Sequence, residues 1–450
     1  YYWTPEIWVV SNSVLKIAEL LLNNGVRLHP NLSQLRAIGI LERKLFFNQL
    51  YTLNTFVKGI KLLPLGARLT ISKSKLSIQP YDTHRPFNNY EQGLSFYLST
   101  WIARIGGWLK NGVQIKSDLT GGADSRAVFT LLHKACEVYG IKENRPTLNS
   151  GLHPRHATDL AIASQIAGAY GYPLNKRILL ENRYSGRDSY NAWKNLCLGV
   201  YHPVYFPTRG PQSGNVSMGG GGAENHRPFY KFKDTASLIE SHRRHFGRDD
   251  LAHEFTSEIS EEFQRLQQID PLMDPLILHY RAYRNRMHVG RAAQYTTLIS
   301  PLGSSILEDV SNVAGSERIR NGQINYDIMA TLLPSILEVP FDSDSKSFNA
   351  TRKQNLTLLS DLEVKDAGNV FGTGSPTGND IRPTKTASAL EYLREDFLRS
   401  KNKPFAQDFF GADYIRDAGH TMEEAIGNGD FSHAVEAQGI VAIIASSLFD

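Results

Sequence analysis

The sequence has few cysteines, no long apolar run and no large excess of charge of one sign. Only two of its 450 residues are cysteines, Cys136 and Cys197, and neither a C-x-x-C pair nor a Cys/His zinc pattern occurs. Two thiols cannot form a disulfide scaffold, so we expect a reducing, cytoplasmic environment. The longest apolar stretch, residues 439–449, falls well short of the roughly 20 residues that a membrane-spanning helix needs, so no membrane association is expected.

The charged residues nearly balance, with 49 Lys and Arg against 45 Asp and Glu and a formal net charge of +4. A nucleic-acid-binding protein usually concentrates basic residues on one surface. This composition therefore argues against a nucleic-acid partner.

Two regions of different pattern are expected in the chain. Residues 1–85 are β-rich with one helical insert, and residues 68–72 and 75–79 alternate as the strands of a hairpin do. Turn residues between 80 and 89 mark the boundary. Because the chain starts at Tyr1 with neither an initiator Met nor a leader, we expect this first region to be incomplete.

From residue 86 the pattern predicts an α/β fold with a parallel sheet, because apolar strands alternate with helices. The predicted helices span residues 90–109, 125–139 and 158–170, and the predicted strands span residues 113–119, 146–149 and 215–218. Beyond residue 234 the composition is helical. Residues 367–386, rich in Gly, Ser, Thr and Pro, are expected to form a linker or a loop that orders on binding.

The most informative stretch is the turn after the first of these strands, T-G-G-A-D-S-R at residues 120–126. Adjacent glycines let the backbone approach a ligand closely. The free amides at the start of the following helix favour an anion, and hydroxyl and guanidinium groups add donors for phosphate. The candidate phosphate ligands are Thr120, Gly121, Gly122, Ser125 and Arg126.

A carboxylate in the same turn, Asp124, adds a metal ion to this prediction. Phosphate would repel Asp124 unless a cation lay between them, so its presence implies Mg²⁺. The turn lacks the G-x-x-x-x-G-K-[ST] pattern of a Walker A loop, and γ-phosphate transfer is not suggested. The alternative is an ordinary strand-to-helix turn, in which Asp is favoured at the helix start.

Residues 120–125 resemble the pyrophosphate-binding loop S-G-G-x-D-S of the nucleotide α-hydrolase superfamily, with Thr in the first position. The wider sequence is most similar to the asparagine synthetase family of ATP-pyrophosphatases. The segments that resemble this family in the same order are residues 158–173, 218–230 and 299–302, and residues 8–13 and 55–66 resemble the latter half of its glutamine-hydrolysing domain.

This resemblance implies an incomplete Ntn glutaminase-type αββα domain at residues 1–85, followed by a synthetase domain with a helical C-terminal part at residues 86–450. It also implies an AMP-forming carbon–nitrogen ligase that uses ATP and Mg²⁺. In that reaction a substrate carboxylate attacks the α-phosphorus and pyrophosphate leaves. An amine then displaces AMP, giving an amide or a lactam.

The resemblance also extends the set of candidate site residues. Asp124 and Glu224 would hold Mg²⁺ on the pyrophosphate and act in catalysis. Further catalytic candidates are Arg227 and Lys346, and Lys346 lies where the family carries a late lysine that contacts phosphates, although a surface lysine is the alternative. Further nucleotide-binding candidates are Asn149, Gly220, Gly221 and Gly222.

Two departures from the family pattern affect the expected substrate. Aligned by its glycines, the family motif G-E-G-x-D-E places Gly221 at its first Glu and Asn225 at its last. We therefore expect a carboxylate other than aspartate, either a small molecule or a peptide, and the general base is not identified. Neither Cys136 nor Cys197 can be an N-terminal nucleophile, so ammonia, glutamine and another amine all stay open as nitrogen donors.

The same departures support a second interpretation, a catalytically degraded nucleotide-binding subunit that serves as partner or scaffold for an active homologue. The oligomeric state is open, with a homodimer as one option. Four basic residues at helical spacing, Arg281, Arg284, His288 and Arg291, predict either a solvated basic face or a substrate-binding stripe.

Overall fold

In the computed structural model the described residues are 1–40, 46–72, 75–80, 86–143, 145–175, 184–207, 215–294, 297–363, 365–368, 386–428 and 437–450. The predicted linker at residues 367–386 lies mostly outside them, since residues 369–385 are not described.

The N-terminal part contains two antiparallel strand pairs and two helices. These elements are β1 (Tyr2–Trp3), β2 (Trp8–Val9), α1 (Val14–Asn23), α2 (Leu32–Ile38), β3 (Ala67–Ser72) and β4 (Lys75–Pro80). The predicted hairpin is confirmed, because β3 and β4 pair along their whole length, from Ala67 opposite Pro80 to Ser72 opposite Lys75.

The rest of the described chain alternates strands and helices and then becomes helical. The first part consists of α3 (Tyr90–Lys110), β5 (Gln114–Asp118), α4 (Ala123–Val138), β6 (Thr147–Asn149), α5 (Ala157–Tyr170), α6 (Gly186–Cys197) and β7 (Asn215–Met218). The second part consists of α7 (Thr235–Arg243), α8 (Asp249–Ile269), α9 (Pro275–His279), α10 (Arg286–Gly290), β8 (Leu298–Ile299), α11 (Ser305–Asn312), α12 (Ser316–Arg320), α13 (Ile324–Leu332), α14 (Ala350–Gln354), α15 (Thr386–Ser400), α16 (Pro404–Phe410), α17 (Ala412–Asn428) and α18 (Gln438–Ser446). A π-helix, Tyr280–Asn285, connects α9 with α10.

Strands β5 to β8 form a parallel sheet in the order β6-β5-β7-β8. The chain passes from β5 to β6 on one side and then returns to place β7 on the other side of β5. The winding direction therefore reverses between the carboxyl ends of β5 and β7. Ligands of open α/β sheets bind at such a switch point.

Hydrophobic clusters join distant parts of the chain. The largest surrounds the sheet and includes residues of α3, α4, α11 and α13. In a second cluster, N-terminal residues such as Leu15 and Phe56 pack with Ile440 and Ile443 of α18. The division at residue 85 falls within residues 81–85, which are not described, and stays a prediction.

The structure shows a mixed α/β chain that combines this parallel sheet with small antiparallel pairs. Within the described parts of the chain, none of the helices has both the length and the apolar character that crossing a bilayer requires.

Candidate functional site

The loop between β5 and α4 connects a strand to a helix, as the sequence predicts, and lies at the switch point of the sheet, with its backbone tightly held. The Thr120 amide donates to Ser125 Oγ at 3.0 Å, and the Gly122 amide donates to Thr120 Oγ1 at 3.2 Å. The Gly121 amide donates to Asp159 Oδ1 of α5 at 2.8 Å. Gly122 is the N-cap of α4 and has no side chain to accept from the first-turn amides, so that helix end suits an external anion.

Glycine is required in the facing loop after β7 because two backbones meet there. A methyl group on Gly220 would lie 2.9 Å from both Asp124 Cβ and the Ser125 amide nitrogen. Gly222 has a φ of +91°, and a methyl group there would lie 2.4 Å from Gly303 Cα. Gly220 therefore lets this loop pack on the first turn of α4, and Gly222 lets it pack on the segment around Gly303.

These two loops bring Asp124 and Glu224 together. Arg227 Nη2 donates to Asp124 Oδ2 and to Glu224 Oε1, at 2.9 Å in each case. The two carboxylate oxygens are therefore at most twice that distance apart. Asn325 Nδ2 donates to Asp124 Oδ1 at 2.7 Å, and the Tyr280 hydroxyl donates to Glu224 Oε2 at 3.4 Å.

The electrostatics of this group follow from burial and from Arg227. Burial raises the pKa of Glu224, and the Arg227 guanidinium opposes that shift. Burial lowers the pKa of Arg227, but the carboxylates of Asp124 and Glu224 outweigh it, so the pKa of Arg227 is raised overall. The group contains one cation and two carboxylates, so its net charge is negative when both carboxylates are ionised.

The donor chemistry of Asp124 and Glu224 fits Mg²⁺, which typically takes one or two carboxylates and completes its shell with water and phosphate oxygens. Among the described residues no group of three or more His, Cys, Asp and Glu is placed to hold a metal. Any such site would therefore depend on ligands from a bound nucleotide or water.

Lys346 lies beside the loop. Its Nζ would be 3.7 Å from a methyl group on Gly122, and it donates to Asp342 Oδ2 at 2.7 Å. The Asp342 amide donates to Gly121 O at 3.2 Å, and the Tyr326 hydroxyl donates to Lys346 O at 2.7 Å. The segment that carries Lys346 is therefore fastened to the β5–α4 loop.

The structure does not bring Arg126 to this site. Its side chain is fully buried, and its guanidinium donates to the carbonyl oxygens of Val339, at 2.8 Å, and of Pro340. It also lies 3.9 Å from the centroid of the Phe341 ring. Arg126 therefore braces the segment before Lys346, and its predicted role as a phosphate ligand is not supported by this arrangement.

Asn149 is placed at the carboxyl end of β6, where its Nδ2 donates to Asp118 Oδ1 at 3.1 Å. Burial raises the pKa of Asp118. The Leu119 amide donates to Asn149 O at 2.8 Å. Asn149 therefore lines the same edge of the sheet as the predicted phosphate loop.

The two positions that depart from the family pattern have different surroundings. A methyl group on Gly221 would lie 3.2 Å from Val289 Cγ2 and 3.5 Å from Ser300 Oγ. Asn225 is buried, and its Nδ2 donates to Glu308 Oε1 at 3.1 Å. Asn225 therefore attaches the loop after β7 to Glu308 of α11.

Four residues at the site were not predicted from the sequence: Asp159, Tyr280, Asn325 and Tyr326. Only Asp159 had a signal, since it begins the D-x-x-x-A pattern of α5. The other three lie far from the glycine loops in sequence and reach them through tertiary packing.

The predicted basic stripe is not a solvated face, because His288 and Arg291 are half-buried and the other two residues are buried. Arg281 and Arg284 are both 6% exposed. Arg281 donates to Asn225 O at 2.9 Å and to Ser311 Oγ at 2.8 Å, and Arg284 donates to Gln49 Oε1 at 3.2 Å.

No protein family model matches this chain, and no curated protein matches it either.

Proposed function

We propose that the chain is an ATP-dependent, AMP-forming ligase of the asparagine synthetase type. It would adenylate a substrate carboxylate and then form an amide or a lactam with an amine. The observation that carries this proposal is the convergence of Asp124 and Glu224 at the switch point of the parallel sheet. The architecture would be a pyrophosphatase-type synthetase domain at residues 86–450 after an incomplete Ntn glutaminase-type domain at residues 1–85.

The β5–α4 loop would bind the nucleotide phosphates. The first-turn amides of α4, with the helix dipole, would face the phosphate oxygens. Lys346 would exchange its partner Asp342 for phosphate and stabilise the charge that develops on the pyrophosphate. Bound Mg²⁺ would neutralise the leaving group, and Asp124 and Glu224 would hold it.

The chemistry would take two steps. A substrate carboxylate oxygen forms a bond to the α-phosphorus while the bond between the α-phosphorus and the bridging oxygen breaks, and pyrophosphate leaves. An amine nitrogen then bonds to the acyl carbon, AMP departs with its electron pair and the amine loses a proton. Ammonia, glutamine-derived ammonia and a preformed amine are all compatible donors.

The substrate would differ from aspartate. Gly221 stands where the family carries an acidic residue, and its neighbours Val289 and Ser300 carry no charge. The substrate would be a small molecule or a peptide whose carboxylate is adenylated. It would have no free amino group that needs an acidic partner at position 221. We propose a cytoplasmic location, which the two free cysteines, Cys136 and Cys197, would suit.

Exchange of radiolabelled pyrophosphate into ATP tests the proposal, because it reports the reversible adenylation step before an amine is needed. The protein would be incubated with ATP, Mg²⁺ and members of a panel of carboxylic acids and short peptides. We expect exchange with at least one acid class. Exchange that requires neither an acid nor Mg²⁺ would contradict the proposal.

A degraded nucleotide-binding subunit is the second candidate, and two contacts favour it. The Gly121 amide is already bonded to Asp159, and Asn225, at the position of the family's last Glu, is bonded to Glu308. Calorimetric titration with ATP and Mg²⁺ separates the two candidates. Binding without exchange on any acid would favour the scaffold.

A further inference from the structure

Arg227 occupies the space between the two carboxylates that the proposed function assigns to a metal ion. One nitrogen, Nη2, donates to both Asp124 and Glu224 at 2.9 Å. The side chains of all three residues are between one fifth and one third exposed, so an incoming ligand can reach the ion triad.

The stem of Arg227 lies against Gly322, and one third of its side chain is exposed. A methyl group on Gly322 would lie 3.2 Å from Arg227 Cδ, and Gly322 has a φ of +60°, which favours glycine at this close approach. Rotation about the last bonds of the side chain would let the guanidinium change partners without displacement of the backbone.

We propose that Arg227 is an internal counter-ion that takes the place of the metal until a nucleotide binds, so that the two carboxylates accept Mg²⁺ only together with ATP. This inference rests on the proposed function. A cation that arrives alone meets the positive charge of Arg227 and would have to break two charge-assisted hydrogen bonds. A nucleotide offers phosphate oxygens in exchange, and a guanidinium fork matches them well.

The consequence is an ordered site. With nucleotide bound, Arg227 moves its charge from the carboxylates to the phosphates and leaves both carboxylates to the metal. The same side chain therefore weakens metal binding alone and strengthens nucleotide binding, whereas a residue that only supports the fold would weaken both when it is replaced.

The test uses Mn²⁺ as a spectroscopic substitute for Mg²⁺ and compares the wild-type chain with R227Q, R227M and R227K. Electron paramagnetic resonance of free Mn²⁺ gives the metal affinity without nucleotide. We expect at least about tenfold tighter Mn²⁺ binding in R227Q and R227M, because a positive charge next to the metal is removed. R227K keeps the charge and is expected to bind Mn²⁺ as weakly as the wild type.

A second measurement has the opposite expected sign. Affinity for α,β-methylene-ATP in the presence of Mg²⁺, measured by calorimetry, is expected to fall about tenfold in R227Q and R227M because a phosphate ligand is lost. R248Q is the matched control, since Arg248 pairs with Asp250 on the surface, and neither affinity should change in it. R227M keeps the aliphatic stem against Gly322, so it serves if R227Q fails to fold.

Two results distinguish this inference from the proposed function. If the wild-type chain binds the nucleotide analogue but both neutral variants bind Mn²⁺ no more tightly than wild type does, the counter-ion role is overturned and the ligase proposal stands. If the wild-type chain binds no analogue with Mg²⁺, the ligase proposal falls and the inference falls with it.

Discussion

The buried carboxylate of Asp327 and the half-buried pair Asp124 and Glu224 differ in how their charge is compensated. Asp327 in α13 is completely buried, and its oxygens accept from Tyr90, at 2.7 Å, from Arg318, at 2.6 Å, and from two further donors, Gln323 and the Thr357 amide. Every lone pair that faces the protein has a partner. Such a carboxylate ties elements together.

Asp124 and Glu224 share one cation and keep 29% and 22% of their side-chain surface exposed. They are under-neutralised and open to solvent, although they are only one helix away from Asp327. Asp327 is buried with four donors on one carboxylate, whereas Asp124 and Glu224 share one cation, have one further donor each and stay partly exposed, so they are the pair available to a ligand. This difference predicts that replacements in the two groups affect different measurements.

The largest expected effect is on stability. Asp327→Ala would leave the Arg318 guanidinium and the Tyr90 hydroxyl without their acceptor, and the free energy of unfolding should fall by about 3–5 kcal/mol. Urea denaturation followed by circular dichroism measures it. Asp250→Ala is the control, because its ion pair with Arg248 is exposed to solvent and should contribute little to stability. Equal losses in the two variants would show that Asp327 contributes no more to stability than an exposed carboxylate does.

Asp124→Ala should instead affect the reaction. We expect pyrophosphate exchange to fall about 10²- to 10³-fold, since a ligand of the leaving-group metal is lost. The free energy of unfolding should change by less than about 1 kcal/mol, because the residue is partly exposed. Near-normal exchange in a folded variant would remove Asp124 from the mechanism.

Replacement of glycine tests how the two carboxylates are brought together. Gly220→Ala would press a methyl group against Asp124 Cβ and the Ser125 amide, and we expect a loss of about 1–3 kcal/mol in stability with lower exchange activity. Gly219→Ala is matched, since its methyl group would lie 3.5 Å from Asp118 Oδ2, an ordinary contact. If Gly219→Ala is as harmful as Gly220→Ala, the close approach of the loops is not the cause.

The last effect concerns the slope of stability against pH, which replacement of one histidine changes by at most about 1.4 kcal/mol per pH unit. Burial lowers the pKa of His202 and of His279 to about 4, and each ring has a backbone carbonyl as hydrogen-bond partner, Phe47 O at 2.7 Å and Tyr51 O at 2.9 Å. The unfolded chain takes up these protons first, near about pH 6.5. Stability should therefore be complete above that pH and fall as pH decreases toward about 4, by up to about 1.4 kcal/mol per histidine and pH unit.

Urea denaturation between about pH 7 and about pH 5 measures this slope. His279→Gln should reduce it, because the glutamine amide can still donate to Tyr51 O but cannot take up a proton. The exposed His253 gives the control variant His253→Gln, which should keep the wild-type slope. An unchanged slope in His279→Gln would show that His279 does not cause the loss of stability at low pH.

Much of the fold could be predicted from local sequence signals. The strand predicted at residues 215–218 is β7, and the helix predicted at residues 90–109 is α3 with one residue added. Their ends carry local signals: Asn89 accepts from the Gln92 amide at the start of α3, and Gly171 ends α5 in the left-handed region. Strand order in the sheet came only from the structure.

The closeness of Asp124 and Glu224 could be predicted from the sequence, because a glycine motif precedes each of them. Asp124 and Glu224 follow glycine loops after strands, and parallel strands end at the same edge. Arg126 could not be assigned in this way, because its direction depends on the segment around Phe341, which packs on α4 from more than 200 residues away in sequence. The basic face predicted for Arg281 and Arg284 was wrong for another reason. That prediction assumed the α-helical period of 3.6 residues, and both residues lie in a π-helix.

That π-helix has a consequence for the register of everything after it. A wide turn of this kind accommodates one residue more than an α-helix does over the same rise. Because the wide turn absorbs the extra residue, the helix from Arg286 onward keeps its phase. Deletion of one residue within Tyr280–Asn285 would therefore disturb contacts inside the segment, such as that of Arg284 with Gln49, more than those of the helix that follows. The same deletion within α8 would turn the following side chains by about 100° and should be tolerated less well.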